Sequence, residues 1–169
     1  GKMTCVELYA PQGRGGIWKY EKVHHVISKY DGDGNEVEMS FWGSNEELTR
    51  GKLDGAVLQA EYFAPGKIKK LSILDENRQP TFEKSSGISR LNVEYDGRDC
   101  VCRIELFAIQ GGVLTLLGMD NVSCIVAKST DGKDFLEMTA VDRHGATVMK
   151  KNVSGRISDL LDGFSLRKL

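Results

Sequence analysis

The chain has 169 residues, 40% hydrophobic and 28% charged, a composition that excludes disordered and fibrous classes and is long enough to bury a core without disulfides or metals. Its 23 basic and 24 acidic side chains leave a net charge of −1, which removes the bulk attraction behind most nucleic-acid binding, so a nucleic-acid partner is disfavoured. No apolar run approaches the ~18 residues that cross a bilayer, and one soluble domain over residues 1–169 with no membrane partner is expected.

Met3 to Tyr9 alternates in part and predicts a first strand, stopped by Pro11 and the glycines at 13 to 16. Those glycines are not a phosphate cradle, because no Lys-Ser/Thr follows them. Ile17 to Tyr30 predicts a long amphipathic strand with Val23, His25 and Ile27 on one face and Tyr20, Lys22, His24 and Ser28 on the other. Asp31-Gly-Asp-Gly-Asn35 then turns the chain into Val37, Met39 and Phe41. This stretch resembles the opening of a calcium loop, but the twelfth position, where a bidentate Glu is needed, is Trp42, and strands flank it. A hairpin turn accounts for the same residues.

Ser44 to Glu47 has capping-box spacing and predicts a short helical turn through Leu48 and Thr49. Strands are expected over Leu53 to Phe63, Lys67 to Leu74, Ile88 to Tyr95, Cys100 to Ile109 and Val113 to Leu117, divided by glycine-, proline- and aspartate-rich turns. From Asn121 to Arg156 three apolar runs are separated by Asp131-Gly132 and His144-Gly145. Val122, Cys124 and Val126 fall on one face of the first run, and Leu136, Met138 and Ala140 on one face of the second, the period-2 pattern of a meander buried on one side. Gly155 to Asp162 predicts a short C-terminal helical segment with Ser154 as N-cap. The cadence indicates an all-β fold, an antiparallel β-barrel with a β-sandwich as the alternative. YDGDGN, YDGRD and TDGKD begin at Tyr30, Tyr95 and Thr130, too unevenly for a solenoid or propeller, and read as one hairpin chemistry used three times.

Cys5, Cys100, Cys102 and Cys124 lack paired Cys-x-x-Cys spacing and are expected as reduced core thiols, with Cys100 and Cys102 facing the same side. Neither metal nor cofactor has a motif. Asn121-Val-Ser123 and Asn152-Val-Ser154 match the glycosylation pattern and favour secretion over the cytoplasm. His24 and His25 point to opposite strand faces and cannot share a metal or a proton, and Glu36/Glu38 and Glu46/Glu47 read as solvated surface pairs. No catalytic residue is assigned, and a non-enzyme is expected. The lysines at 67, 69 and 70, beside Tyr62 and Phe63, and Arg143, Lys150 and Lys151 read as edge-strand protection.

Gly16-Ile17-Trp18, the hairpin around Thr130-Asp131 and the late Gly155-Arg156 together resemble the lipocalin family. The resemblance implies a barrel closed at one end by Trp18 with Arg156 packed over its ring as a cation–π pair. It also implies a non-catalytic protein holding a small apolar ligand in the barrel interior, with Met39, Phe41, Leu91, Val93, Tyr95, Leu106 and Met138 facing inward. The alternative is an interaction module that binds a protein, glycan or nucleic acid through an outer face or edge. Trp42 motivates it, alternating out of phase with Val37, Met39 and Phe41.

Overall fold

A computed structural model describes Thr4–Tyr9, residues 22–109, Val122–Ser129 and residues 135–154. Among these residues the protein is all-β and antiparallel, with ten strands and no α-helix. The chain divides into two compact units, Gly1–Lys84 and Ser85–Lys168. The predicted strand at 113–117, the helical segment at 155–162, Trp18 and Arg156 lie outside the described residues.

The first unit is a meander of β1 (Thr4–Tyr9), β2 (His25–Tyr30), β3 (Glu36–Trp42), β4 (Val57–Ala64) and β5 (Lys67–Leu74), each paired with the next. Register decides which side chains share a face. Val26 lies opposite Phe41, Ser28 opposite Met39, Met39 opposite Leu58, and Leu58 opposite Ile73. These residues, with Ala60 and Leu71, form the buried face. Burial of apolar side chains at roughly 25 cal/mol per Å² is what fixes this register, because a one-residue slip would turn the whole set outward.

The second unit repeats the plan with β6 (Ile88–Tyr95), β7 (Val101–Ala108), β8 (Val122–Ser129), β9 (Phe135–Asp142) and β10 (Thr147–Ser154). Leu91 faces Leu106, Val93 faces Ile104, and on the other side of β7 the same two residues face Ile125 and Ala127. Among the described residues no ladder joins β1 to β5 or β6 to β10 to close either meander on itself.

Five loops share one geometry. At 31–35, 43–47, 75–79, 96–100 and 142–146 the first residue's N–H donates to the fifth residue's carbonyl, and the fourth residue's N–H donates back to the first carbonyl. The fourth residue is in the left-handed region each time: Gly34, Glu46, Arg78, Asp99 and Gly145 have φ of 78°, 59°, 59°, 65° and 84°. This is a type I turn followed by a bulge residue, whose twist matches the flanking strands. Four loops begin with Asp, whose Oδ1 accepts the N–H groups of the third and fifth residues, as Asp31 does from Asp33 and Asn35 at 3.0 and 2.9 Å. The expected hairpin chemistry is therefore present after Tyr30 and Tyr95, its aspartate-headed form extends to the loops at 75–79 and 142–146, which the repeated motifs did not announce, and the motif at Thr130 lies outside the described residues.

Four expectations are corrected. Residues 43–47 form one of these bulged loops rather than a helical turn, and the chain returns as a bridge from Leu48 to Trp42; the capping-box pattern lost to strand pairing. Strand β4 starts at Val57 instead of Leu53, because Leu53 and Asp54 take φ of 56° and 55° in a tight turn. Strand β2 starts at His25, so residues 22–24 lie outside it, while His25 and Ile27 share one face and Val26 and Ser28 the other, as alternation requires. In β8 a bulge between Val122 and Cys124 switches the phase, so Ile125 and Ala127 are buried instead of Cys124 and Val126.

Candidate functional site

On the first unit, the face opposite Met39 and Phe41 carries a compact polar and aromatic array. Cross-strand pairing places His25 opposite Trp42, Ile27 opposite Ser40 and Lys29 opposite Glu38, and then Glu38 opposite Gln59 on β4. The rings of His25 and Trp42 stack at 6.1 Å between centroids and 7° between planes. Trp42 Nε1 donates to Ser40 Oγ at 2.9 Å, and that hydroxyl donates to the Ile27 carbonyl at 3.3 Å. His25 is buried, and its Nε2 lies 3.8 Å from the exposed Glu46 carboxylate in the loop after β3.

Glu38 is the centre of the array. Its side chain retains 11% exposure and accepts four charge-assisted or amide hydrogen bonds: Lys29 Nζ at 2.8 Å, Gln59 Nε2 at 3.2 Å, and Arg78 Nη1 and Nη2 at 3.1 and 3.2 Å. Burial pushes the carboxyl upward, but the donors from Arg78, Lys29 and Gln59 outweigh it and hold the group down at about 2. Arg78 reaches Glu38 from the loop after β5, and the pairing raises its own pKa. A carboxylate held this low is a poor proton acceptor at neutral pH, so its chemistry is that of a fixed anion orienting two cations, not of a general base. Glu36 is also buried, with its carbonyl accepting from Tyr62 Oη at 3.0 Å, so the expectation of a solvated Glu36/Glu38 pair is corrected; Glu46 and Glu47 are exposed as expected.

The residues expected to face a ligand fall into two groups. Met39 and Phe41 belong to the buried face of the first unit, with 2% and 1% exposure. Leu91, Val93 and Leu106 share the buried face of the second unit at 2–4% exposure, and Tyr95 and Met138 are half-buried there. Side chains this enclosed touch protein on nearly every side.

The four cysteines are free, but Cys5 and Cys100 are exposed and only Cys102 and Cys124 are partly covered, which corrects the expectation of core thiols. Burial pushes the Cys124 thiol up to about 11. Among the described residues no group of three or more His, Cys, Asp or Glu gathers as a metal cage. The chain matches no family model, no curated protein and no solved structure.

The Glu38 cluster escaped sequence reading because its partners come from positions 9, 21 and 40 residues away. The one local signal was Glu38 itself, an acidic residue in phase with Trp42 on a strand whose other phase is apolar.

Proposed function

We propose that this protein is a non-catalytic interaction module whose first unit binds a protein partner through the face carrying Trp42, Arg78, Lys29 and Glu38. The observation that supports this reading most is a strand face that carries the Trp42 ring stacked on His25 towards one end and the Arg78 guanidinium paired with Glu38 towards the other. Tryptophan and arginine dominate protein-binding hot spots, and both lose less freedom on binding when already positioned. Lys29, Arg50 and Arg78 alternate on this unit with Glu38, Glu46 and Glu76. Such mixed charge suits a protein surface of mixed sign better than a polyanion. The test is capture of partners by the immobilised protein, comparing Trp42→Ala and Arg78→Ala with Phe63→Ala at an exposed aromatic elsewhere. Selective loss with the first two supports the face; capture unchanged by both, or binding only to a glycan array or to nucleic acid, overturns the protein-binding reading.

A second reading, a small apolar ligand held in a barrel interior as in lipocalins, draws on the common face of Leu91, Val93 and Leu106. In that reading the ladders close into a barrel, and the ligand displaces protein contacts around these side chains. Native mass spectrometry with a panel of lipids and odorants, checked by competition with an apolar dye, tests it; no saturable binding counts against it.

A further inference from the structure

Of the five bulged loops, the one at 43–47 has the weakest local bracing. It begins with Gly43, so it lacks the aspartate oxygen that accepts two N–H groups in each of the other four. Its left-handed position is filled by Glu46, at φ 59°, and not by glycine. Its returning bond, from the Glu46 N–H to the Gly43 carbonyl, measures 3.4 Å, against 2.9–3.2 Å in the others. The loop at 75–79 also has a long side chain at the left-handed position, and Arg78 uses it to hold Glu38. Glu46 makes the corresponding reach towards His25, with Oε2 3.8 Å from the ring Nε2. That gap is too wide for a hydrogen bond to a neutral imidazole.

We propose that His25 and Glu46 form a pH-sensitive clasp, in which a proton taken up by His25 draws the Glu46 carboxylate in and fastens the loop beside Trp42. Histidine is the side chain suited to gaining charge between about pH 8 and pH 5, and an N⁺–H···O⁻ pair closes to ~2.7–2.9 Å. The proton comes from solvent, and no covalent bond to carbon changes. From β3, Trp42 lays its ring on the imidazole at 6.1 Å and 7°, about the ~6 Å reach of a cation–π contact. From the loop, Glu46 supplies the carboxylate, while the Glu47 side chain folds against Gly43. His24, which is exposed, meets the His25 ring edge-on at 6.0 Å and opposes the charge once it is itself protonated. On β1 the register partner is Tyr9, a phenol that stays neutral over this range. Lys29, with Glu38 and Arg78, lies about 13 Å further along the strand and is already paired. Leu48 bridges back to Trp42, so fastening residues 43–47 also fixes the frame around the indole. The clasp stands on this geometry alone and does not require that Trp42 meet a partner.

The experiment follows the full chain from pH 8 to pH 5 by NMR and by tryptophan fluorescence. The His25 ring, the Trp42 indole N–H and the Glu46 amide should move together with one midpoint, and fluorescence should fall as the imidazolium quenches the stacked indole. Protection of the Glu46 amide against hydrogen exchange should rise by up to about fivefold, the scale of one modest ion pair. His25→Phe keeps a flat ring under Trp42 but takes up no proton, and should abolish both changes. Glu46→Gln, at an exposed side chain, should keep the fluorescence change and lose the gain in protection at residue 46. His24→Gln should retain both. Should circular dichroism show that His25→Phe does not fold, the Glu46 and His24 variants decide the matter. A gain in protection that survives Glu46→Gln, changes that vanish in His24→Gln, or a His25 ring that does not titrate would each overturn the clasp. None of these readouts involves partner capture, so failure of the protein-binding reading leaves them unaltered.

Discussion

Arg78 and Glu38, forty residues apart in sequence, meet in a two-pronged ion pair, and Arg78 does so from a backbone with φ of 59°. An L-residue other than glycine in that region costs roughly 1–2 kcal/mol, so the pair is made against the local preference of the chain. Arg78→Ala should destabilise the first unit by about 1 kcal/mol, at the modest end for an ion pair because the guanidinium side chain is 43% exposed and screened by solvent. Arg78→Gly loses the same pair but relieves the backbone, so it should be the less harmful of the two. Chemical denaturation of both variants and of the Arg78→Ala/Glu38→Gln double mutant checks this; purely additive effects would show that the pair is not coupled.

The same carboxylate makes stability depend on pH. In the unfolded chain Glu38 titrates near 4.5, and in the folded protein at about 2, so between these values the unfolded state binds more protons. The contribution is complete above the unfolded value and falls away as pH drops from about 5 towards 2. Its full size is on the order of 2–3 kcal/mol before allowance for residual structure in the unfolded chain. Glu38→Gln should flatten the acid limb of a stability profile measured by denaturant titration from pH 7 to pH 2. An unchanged acid limb in that variant would assign the dependence to other carboxylates.

Strand periodicity made the all-β class readable, because alternation survives wherever one face is buried: Met39, Phe41, Leu91, Val93 and Leu106 are all on covered faces. Turn chemistry was readable where aspartate and glycine coincide, as at Asp31 and Gly34. It was invisible where the left-handed position is filled by Glu46 or Arg78, since nothing in those residue types announces φ above zero. Bulges were the other blind spot. One extra residue between Val122 and Cys124 reverses the inward phase of β8, and periodicity alone cannot see it. The Trp42 face was only half legible: alternation placed the indole opposite Phe41, but its stacking on His25 and the Glu38 cluster depend on register between strands.

Gly51 sets a steric limit on the same core. A Cβ at this position would overlap the ring of Phe41, which is 1% exposed and has nowhere to retreat. Gly51→Ala should therefore cost about 1–3 kcal/mol, the usual scale of overpacking, although alanine is the smallest side chain that can be added. Pairing the change with Phe41→Leu should recover part of the loss by vacating the volume, and a thermal-melt comparison of the three variants reads it directly. A Gly51→Ala protein as stable as the parent would mean that the backbone of residues 51–55 shifts freely.

The aspartate-headed loops give the sharpest test of local structure, because they set two demands on one five-residue segment. In the loop at 142–146, Asp142 Oδ1 accepts from the His144 and Ala146 N–H groups at 2.8 and 2.9 Å, and Gly145 supplies φ of 84°. The N–H groups of Ala146 and His144 hold the Asp142 carboxyl below its ordinary value. Asp142→Asn keeps an acceptor oxygen at the same place and should preserve the loop, whereas Asp142→Ala removes it and should leave both amides open to solvent. Gly145→Ala attacks the other demand and should cost about 1 kcal/mol through backbone strain alone, leaving the two Asp142 contacts available. Amide hydrogen exchange separates the two effects: Asp142→Ala should speed exchange at residues 144 and 146, and Asp142→Asn should not. For the native aspartate, exchange protection at these two amides should weaken as pH falls through the depressed Asp142 value, because the protonated carboxyl is a weaker acceptor. If Asp142→Asn and Asp142→Ala behave alike, the side-chain contacts are incidental, and the turn is held by its backbone bonds and by Gly145.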